Sequence, residues 1–197
     1  MFAVTPLAIP DLLEVIPQRH GDDRGWLSET WNRARFSGHG IDADFVQDNL
    51  VRTGACHTFR GLHFQAPPRS QGKLVSVLAG AILDVAVDLR RGSPHYGRHV
   101  ALRLSAEAGN ALWVPAGFAH GYCSLQADCL VAYKVTDYWS PEHERGLAFD
   151  DPALGIDWPA APADLAVNDR DRTWPVLADL DSPFVMLPGA PPSGAGA

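Results

Sequence analysis

Hydrophobic and polar residues alternate along a series of short segments from about Lys73 onward. Glycine, proline, serine and asparagine separate these segments, as in Gly92-Ser93-Pro94 and Pro115-Ala116-Gly117, and such residues favour turns. Short alternating strands at nearly even spacing are typical of an all-β sandwich or barrel. The pattern therefore predicts strands over 74–78, 81–89, 100–104, 111–114, 122–125 and 129–135.

Helix signals are few. The segment Asn32 to Ser37 predicts one short turn, and Ser140 to Glu144 resembles a helix start because a cap residue precedes Pro141. Residues 150–180 are rich in Pro, Asp and Trp and indicate irregular chain on the outside of the barrel. We expect one domain over residues 1–181, followed by a flexible Pro/Gly/Ala-rich tail over 182–197.

The composition is that of an ordinary globular protein, with 46% hydrophobic and 20% charged residues among 197. A net charge of −7 argues against a nucleic-acid partner, because no basic face is available to displace counterions. The longest apolar stretch is broken by Asp84 and Asp88, which we expect to be solvated or turn-stabilising, so no membrane span is predicted. Three cysteines without a paired spacing and no secretory signal favour a cytoplasmic protein.

The richest polar motif is Phe59-Arg60-Gly61-Leu62-His63-Phe64-Gln65, followed by Gln71-Gly72-Lys73. A strand with this pattern aims polar groups at a cavity while its apolar side chains pack behind. Taken alone, His63 fits a buried structural histidine. Two nearby cations, Arg60 and Lys73, are costly to bury without an anion, which favours a site that binds or creates negative charge.

Three further clusters contain polar residues that a β-barrel does not need for its structure. They are Asp23-Arg24-Gly25-Trp26 with Glu29, the pair Gln47 and Asn49, and Gly117 to Gly121 with His120. His120 and the later Tyr133 fit hydrogen-bonded core residues as well as they fit residues of a site. Trp26 and Trp139 fit either packing in the protein or stacking on a ligand.

A histidine in a small β-barrel raises the question of a metal. Metal-binding cupins resemble His-x-His followed by Glu and a distant His, but here Gln65 and Gln71 occupy the second and third positions. His63 and His120 supply only two nitrogen ligands, and Lys73 would repel a dication. We therefore expect no metal.

At these residues the chain resembles the dTDP-4-dehydrorhamnose 3,5-epimerase family, a branch of the cupins, over about Val4 to Leu177. The resemblance implies an all-β, cupin-like jelly roll with a few short helices at its periphery. It also implies a homodimer that exchanges N-terminal strands. The matching blocks are Asp23-Arg24-Gly25 with Glu29, Gln47-Asp48-Asn49, 59–65, 71–73, 84–90, 93–97, 115–121, Tyr133-Lys134, and Tyr138 with Pro141-Glu142.

The family epimerises dTDP-4-dehydro-6-deoxy-D-glucose at C3 and C5 on the route to dTDP-L-rhamnose, without a cofactor. The resemblance places the general base at His63, its orienting acid at Asp169, the enolate-stabilising lysine at Lys73 and the proton donor at Tyr133. Arg24 and Arg170 are expected at the diphosphate, and Trp26 or Tyr138 at the thymine. The remaining expected substrate contacts are Glu29, Gln47, Asn49, Arg60, His120 and Trp139.

Two positions depart from the family pattern. Many relatives carry a second tyrosine where this chain has Trp139, and a lysine beside the acid where it has Asn168. The alternatives are a single-centre epimerase of a related dTDP-4-keto-deoxysugar, a non-catalytic sugar-nucleotide-binding cupin, and a metal-dependent cupin.

Overall fold

Two β-sheets pack face to face in this computed structural model, which describes residues 2–186. The strands are β1 (Phe2–Pro6), β2 (Leu13–Pro17), β3 (Arg19–Asp22), β4 (Gly25–Ser28), β5 (Gln47–Thr53), β6 (Phe59–Gln65), β7 (Lys73–Ala79), β8 (Ala81–Asp88), β9 (His99–Ser105), β10 (Ala111–Val114), β11 (Phe118–Ser124), β12 (Cys129–Val135) and β13 (Glu144–Gly146). The six strands predicted after Lys73 are all present, with ends that differ by a few residues, and the all-β jelly-roll class is confirmed.

The first sheet has six antiparallel strands in the order β1-β2-β10-β7-β12-β5. The second has five in the order β13-β6-β11-β8-β9. Strands β3 and β4 pair only with each other, so they form a separate hairpin.

The core between the sheets comes from alternate residues of facing strands. Ile82 and Ala86 of β8 point into it, beside Val75 and Val131 of the opposite sheet. The other side of β8 packs Val85 and Val87 under the irregular chain after β13. Alternation along β8 therefore buries both of its faces.

Asp84 and Asp88 are completely buried, so the expectation that they are solvated is wrong. Asp88 does stabilise a turn, because it accepts hydrogen bonds from the Arg90 N–H and the Ser93 hydroxyl. Asp84 accepts a hydrogen bond from the His120 ring at 2.7 Å. Asp88 is paired with Arg90 at 2.7 Å, and Arg90 also reaches Asp11. Carboxylates are tolerated inside a core when they are paired in this way.

The predicted short helix is confirmed as α1 (Arg33–Ser37), capped by the Asn32 side chain, which accepts a hydrogen bond from the Arg35 N–H. The predicted helix start at Ser140 is wrong: residues 141–143 form a turn that leads into β13. Pairing of Glu144 with Gln65 of β6 prevails over the local capping signal. Residues 150–180 are mostly irregular, with short 3₁₀ helices at Pro162–Asp164, Arg170–Arg172 and Leu177–Asp179.

The predicted start of the tail at residue 182 is too early. Ser182 is buried and its hydroxyl donates to the Leu89 carbonyl, while the Met186 N–H donates to Arg91. The rest of the predicted tail, 187–197, lies outside the described residues. Among residues 2–186, no helix is long and apolar enough to cross a membrane.

Candidate active site

One cavity of about 400 Å³ opens between the two sheets and collects most of the predicted polar residues. The second sheet contributes side chains from β6 and β11, and the first sheet contributes side chains from β5, β7 and β12. A molecule in this cavity therefore meets one sheet on each side. The lining comprises Gln47, Asn49, Val51, Arg60, His63, Gln71, Lys73, His120, Tyr122, Tyr133, Trp139, Glu144, Asn168, Arg170 and Asp171.

An irregularity in β6 lets Arg60 and His63 share this cavity. Residues three apart on a regular strand point to opposite faces. Here the pairing with β11 shifts register, so that His63 lies opposite His120 and Arg60 opposite Tyr122. Gly61 sits inside the shift with φ +138°, and an added Cβ would lie 2.5 Å from the Gly121 Cα. Only glycine fits, and the extra residue re-aims the strand.

The acid that orients His63 is Asp171, not Asp169 as predicted. The His63 Nε2–H donates to Asp171 Oδ1 at 2.7 Å, and the Gly61 N–H donates to Asp171 Oδ2 at 3.2 Å. Asp171 is 1% exposed, whereas Asp169 is exposed and does not line the cavity. Burial opposes ionisation, but the His63 hydrogen bond, the His63 and Arg170 charges and the Gly61 N–H together lower the Asp171 pKa.

The two aspartates lie on either side of Arg170, at the start of the 3₁₀ helix Arg170–Arg172. Asn168 fixes which one turns inward, because its side-chain oxygen accepts the Asp171 N–H at 2.7 Å. With the acid at 171, the residue directly before it is Arg170. A cation, rather than Asn168, therefore stands directly before the carboxylate that binds His63.

Lys73 begins β7 at one end of the cavity. Its Nζ donates to the His63 carbonyl at 3.3 Å. Burial lowers the pKa of Lys73 to about 8, against the opposing attraction of Glu144 and Asp84. A partly buried ammonium is a strong electrostatic partner for an anion that forms in the cavity.

Tyr133 enters from β12, on the sheet opposite the one that carries His63. Burial raises the pKa of its phenol, and Glu144 adds to that rise while Arg60 opposes it. The phenol is therefore held in its protonated form, able to donate a proton, across a range of pH that includes neutrality.

His120 is 6% exposed and lines the cavity from β11. Asp84 accepts from its Nε2, which makes a second histidine–carboxylate pair behind the cavity wall. Both interpretations of His120 are thus met: it is a hydrogen-bonded core residue that also faces the site.

Gln47, Asn49 and Trp139 line the mouth of the cavity together. The Gln47 amide donates to Asn49 Oδ1 at 2.9 Å, and its own carbonyl accepts the Trp139 N–H at 3.0 Å. The Trp139 side chain is 57% exposed, so its ring is available to a ligand.

Four residues that were predicted to contact the substrate do not line the cavity of their own chain. Arg24 and Trp26 lie on the β3–β4 hairpin, where Arg24 pairs with Asp22 and Trp26 is 62% exposed. Glu29, just after the hairpin, pairs with Arg35 at 3.2 Å. Tyr138 is exposed beside the mouth but is not among the lining residues.

The cavity also contains residues that the sequence did not single out. Glu144 lines it from β13 with a side chain only 15% exposed, and pairs with Arg170 at 2.7 Å. Tyr122 and Val51 also line it. Only the pairing of β13 with β6 brings Glu144 here, and no local motif signals that pairing.

No group of three or more His, Cys, Asp and Glu side chains within residues 2–186 comes together as a metal site. Independence from a metal stays a prediction.

This combination of fold and site defines a class: a cupin-like jelly-roll enzyme with a polar cavity between its sheets, in which a histidine is hydrogen-bonded to a buried aspartate. The sequence model of the dTDP-4-dehydrorhamnose 3,5-epimerase family matches residues 6–179. The chain belongs to that family, whose members are isomerases.

Similar proteins agree with this assignment. A dTDP-4-dehydrorhamnose 3,5-epimerase of Pseudomonas aeruginosa is 48% identical over 180 residues, covering 90% of this chain and 97% of the relative. A dTDP-6-deoxy-D-glucose-3,5-epimerase of Legionella pneumophila, solved in complex with dTDP-4-keto-L-rhamnose, is 39% identical with a TM-score of 0.90, covering 95% and 100% of the two chains. A 3'-monoepimerase of Streptomyces bikiniensis, in complex with dTDP-quinovose, is 33% identical with a TM-score of 0.81, covering 88% and 87%.

Proposed function

We propose that this protein converts dTDP-4-dehydro-6-deoxy-D-glucose to dTDP-4-dehydro-L-rhamnose by inverting C3 and C5, in dTDP-L-rhamnose biosynthesis. The observation that carries the proposal is the placement of a histidine–carboxylate pair and a tyrosine on opposite sheets of one cavity. Inversion needs a proton removed from one face of a carbon and returned to the other.

His63 is the general base of this mechanism. The ketone at C4 acidifies the hydrogens on both neighbouring carbons, so one base between them can form either enolate. With Nε2 held by Asp171, the free nitrogen for proton removal is Nδ1, to which no hydrogen bond runs from residues 2–186. Asp171 then stabilises the imidazolium that results.

Lys73 and Arg60 are the partners of the enolate. Negative charge develops on O4 as the proton leaves, and fixed cations in a partly desolvated cavity stabilise it without reorganising. The Tyr133 phenol then donates its proton to the carbon from the first-sheet side, which completes the inversion and leaves a Tyr133 phenolate and a protonated His63. Proton exchange with water restores both groups before the second carbon reacts.

The nucleotide is assigned to the mouth of the cavity. Trp139 and Tyr138 provide exposed aromatic faces for the thymine. Gln47, Asn49 and His120 offer hydrogen bonds to the sugar, and Arg170 is a candidate for the diphosphate.

We further propose a homodimer in which the β3–β4 hairpin serves the partner's cavity. The hairpin carries Arg24 and Trp26 away from their own cavity and leaves Trp26 and Leu27 exposed. Beside its base, at Pro17 and Thr30, begins a largely apolar hollow of about 370 Å³ lined by Leu50 and Leu78. Exposed apolar surface of this kind marks an interface, and a second copy would cover the hollow while receiving the hairpin.

A single-centre epimerase is the second candidate, because the 3'-monoepimerase shares the fold over most of both chains. NMR of the 4-keto sugar nucleotide with protein in deuterated water separates the two, since deuterium enters at one carbon or at both.

Activity that survives metal chelation would support the cofactor-free mechanism, whereas stoichiometric metal in active protein would revive a metal-dependent cupin. A cytoplasmic location also stays a prediction.

A further inference from the structure

We propose that Gln65 is a positioning residue for nucleotide binding, because it fixes the backbone on both sides of Trp139. The inference rests on the proposed function, in which Trp139 provides a face for the thymine. It gives a task to the one polar side chain of the Phe59–Gln65 motif that does not line the cavity.

Gln65 ends β6 and is only 3% exposed. Its Nε2 donates to the Arg69 carbonyl at 2.6 Å and to the Tyr138 carbonyl at 3.2 Å. Its Oε1 accepts the Ser140 N–H at 2.6 Å. Because both the amide nitrogen and the amide oxygen are engaged, the buried side chain has one favoured orientation, and it ties the loop after β6 to the loop after β12.

Trp139 stands between two peptide groups, and glutamines hold both of them. The group before it offers the Tyr138 carbonyl to Gln65 and the Trp139 N–H to Gln47 Oε1, the latter at 3.0 Å. The group after it offers the Ser140 N–H to Gln65. The ring itself is still 57% exposed, so its backbone is fixed while its face stays open. An aromatic residue arranged in this way loses little conformational freedom when a base stacks on it.

Other contacts join the same two loops, but they lie before Trp139. Gln71 Nε2 donates to the Asp137 carbonyl at 2.7 Å, and the Arg69 guanidinium pairs with the Asp137 carboxylate at 3.2 Å. Of these loop contacts, those of Gln65 reach past Trp139 to the following residue. Loss of the Gln65 amide should therefore release the backbone around Trp139 while Asp137 stays anchored.

The test compares Gln65→Met with the control Ser124→Ala. Gln65→Met keeps a side chain of similar length and removes all three hydrogen bonds. Ser124 lies near the other end of β6 and outside the cavity, where its buried hydroxyl donates to the Ala55 carbonyl at 2.8 Å and accepts the Thr58 N–H at 2.9 Å. Both variants should lower the free energy of unfolding, because each leaves buried backbone groups without these partners.

Only Gln65→Met should weaken nucleotide binding. The Kd of dTDP, measured by titration calorimetry, should rise about 5- to 50-fold, which is part of what an aromatic stack contributes to binding a base. The KM of the 4-keto sugar nucleotide should rise with it while kcat stays nearly unchanged, since a contact made equally in the ground state and the transition state affects KM alone. Ser124→Ala should match the unmodified protein in all three constants.

A double-mutant cycle tests whether Gln65 acts through Trp139. Trp139→Ala should weaken the Kd of dTDP by itself, and adding Gln65→Met should have little further effect, because both changes remove the same interaction. Full additivity would contradict the proposal. A lower kcat with an unchanged Kd would also contradict it and would assign Gln65 to the chemistry at His63.

Gln65→Glu keeps an oxygen that accepts from Ser140 and loses both donors. It should weaken the Kd in the same direction, so it decides the question if Gln65→Met does not fold, and an unchanged Kd would count against the proposal. Without ligand, the NMR signal of the Trp139 indole N–H, identified from Trp139→Ala, should shift in both Gln65 variants and stay in place in Ser124→Ala. A signal that stays in place in every variant would overturn the proposal, even if the unmodified protein neither binds dTDP nor exchanges deuterium and the proposed function itself fails.

Discussion

Asp171 holds both the His63 side chain and the backbone of the strand that carries it. One carboxylate oxygen accepts from the imidazole and the other from the N–H of Gly61, inside the β6 irregularity. The same group therefore fixes the tautomer of the base and the backbone that aims it. Its own N–H is held by Asn168, so neither end of the residue is free to turn away.

The neighbouring aspartates offer a matched test of this assignment. Asp171→Asn should lower the rate of C3 and C5 deuterium exchange by at least about 100-fold, because an amide holds the imidazole less well and cannot stabilise its charge. Asp169→Asn should retain nearly the full rate, since Asp169 is exposed and outside the cavity. Equal losses in the two variants would contradict the choice of Asp171.

The alkaline side of the pH profile reports on Lys73. With a pKa of about 8, this lysine is charged below that pH and loses its charge above it, so kcat/KM should fall with a midpoint near 8. Glu144→Gln should move that midpoint lower, because Glu144 raises the pKa of Lys73. The measurement is of initial rates from about pH 6 to about pH 10, a range that brackets the titration of Lys73. A midpoint that stays in place after this change would contradict the proposed role of the Lys73 charge.

The sequence was sufficient to predict the site residues that belong to a local motif. His63, Lys73 and Arg60 come from one motif, and all three line the cavity. The acid could not be chosen in the same way, because Asp169 and Asp171 are both plausible until the orientation of a three-residue 3₁₀ helix is known. Glu144 was missed because only long-range pairing brings it to the site.

Among the elements, β6 decides the geometry of the site. A regular strand would point Arg60 and His63 to opposite faces, and the register shift against β11 brings both to the cavity. Close contact between Gly61 and Gly121 makes the shift possible.

Gly61→Ala should therefore damage both stability and activity. A Cβ there meets backbone at 2.5 Å and 3.0 Å, and the φ of +138° is unfavourable for alanine. We expect a loss of about 1–3 kcal/mol in the free energy of unfolding, measured by urea denaturation, together with slower exchange. Gly54→Ala is the control, because nothing lies within 4 Å of its added Cβ. Equal stability of the two variants would contradict the role given to Gly61.

The strands themselves were predictable because alternation reflects burial, and β10 and β12 have the predicted bounds. The turn at 141–143 was not, since Ser140 and Pro141 carry a genuine helix-start signal. Ser140 is instead fixed to Gln65, whose side-chain oxygen accepts its N–H at 2.6 Å. A tertiary contact of this kind leaves no mark in the local sequence.

In the whole molecule, the β3–β4 hairpin joins neither of the two large sheets. It pairs only with itself and carries Arg24 and Trp26, two of the predicted nucleotide contacts, outside their own cavity. An arrangement that exchanges hairpins between two copies would give both residues a site.

Mixed subunits test this exchange. His63→Ala disables the cavity of its own chain, and the double variant Arg24→Ala/Trp26→Ala would disable the cavity of its partner. Each homodimer should be nearly inactive, while co-refolded mixtures should recover activity, because one cavity in each heterodimer has both sets of native residues. Absence of recovery in mixtures shown to contain heterodimers would contradict hairpin exchange.

In the proposed mechanism, one cavity inverts two carbons through His63. The most direct test of this mechanism is NMR of dTDP-4-dehydro-6-deoxy-D-glucose incubated with the protein in deuterated water, beside the His63→Ala variant and the His39→Asn control. The control histidine is exposed at the end of α1, outside the cavity. We predict deuterium at both C3 and C5, the L-configured product, and a rate about 10²–10⁴-fold lower only in His63→Ala. Deuterium at a single carbon, or normal exchange without His63, would contradict the account.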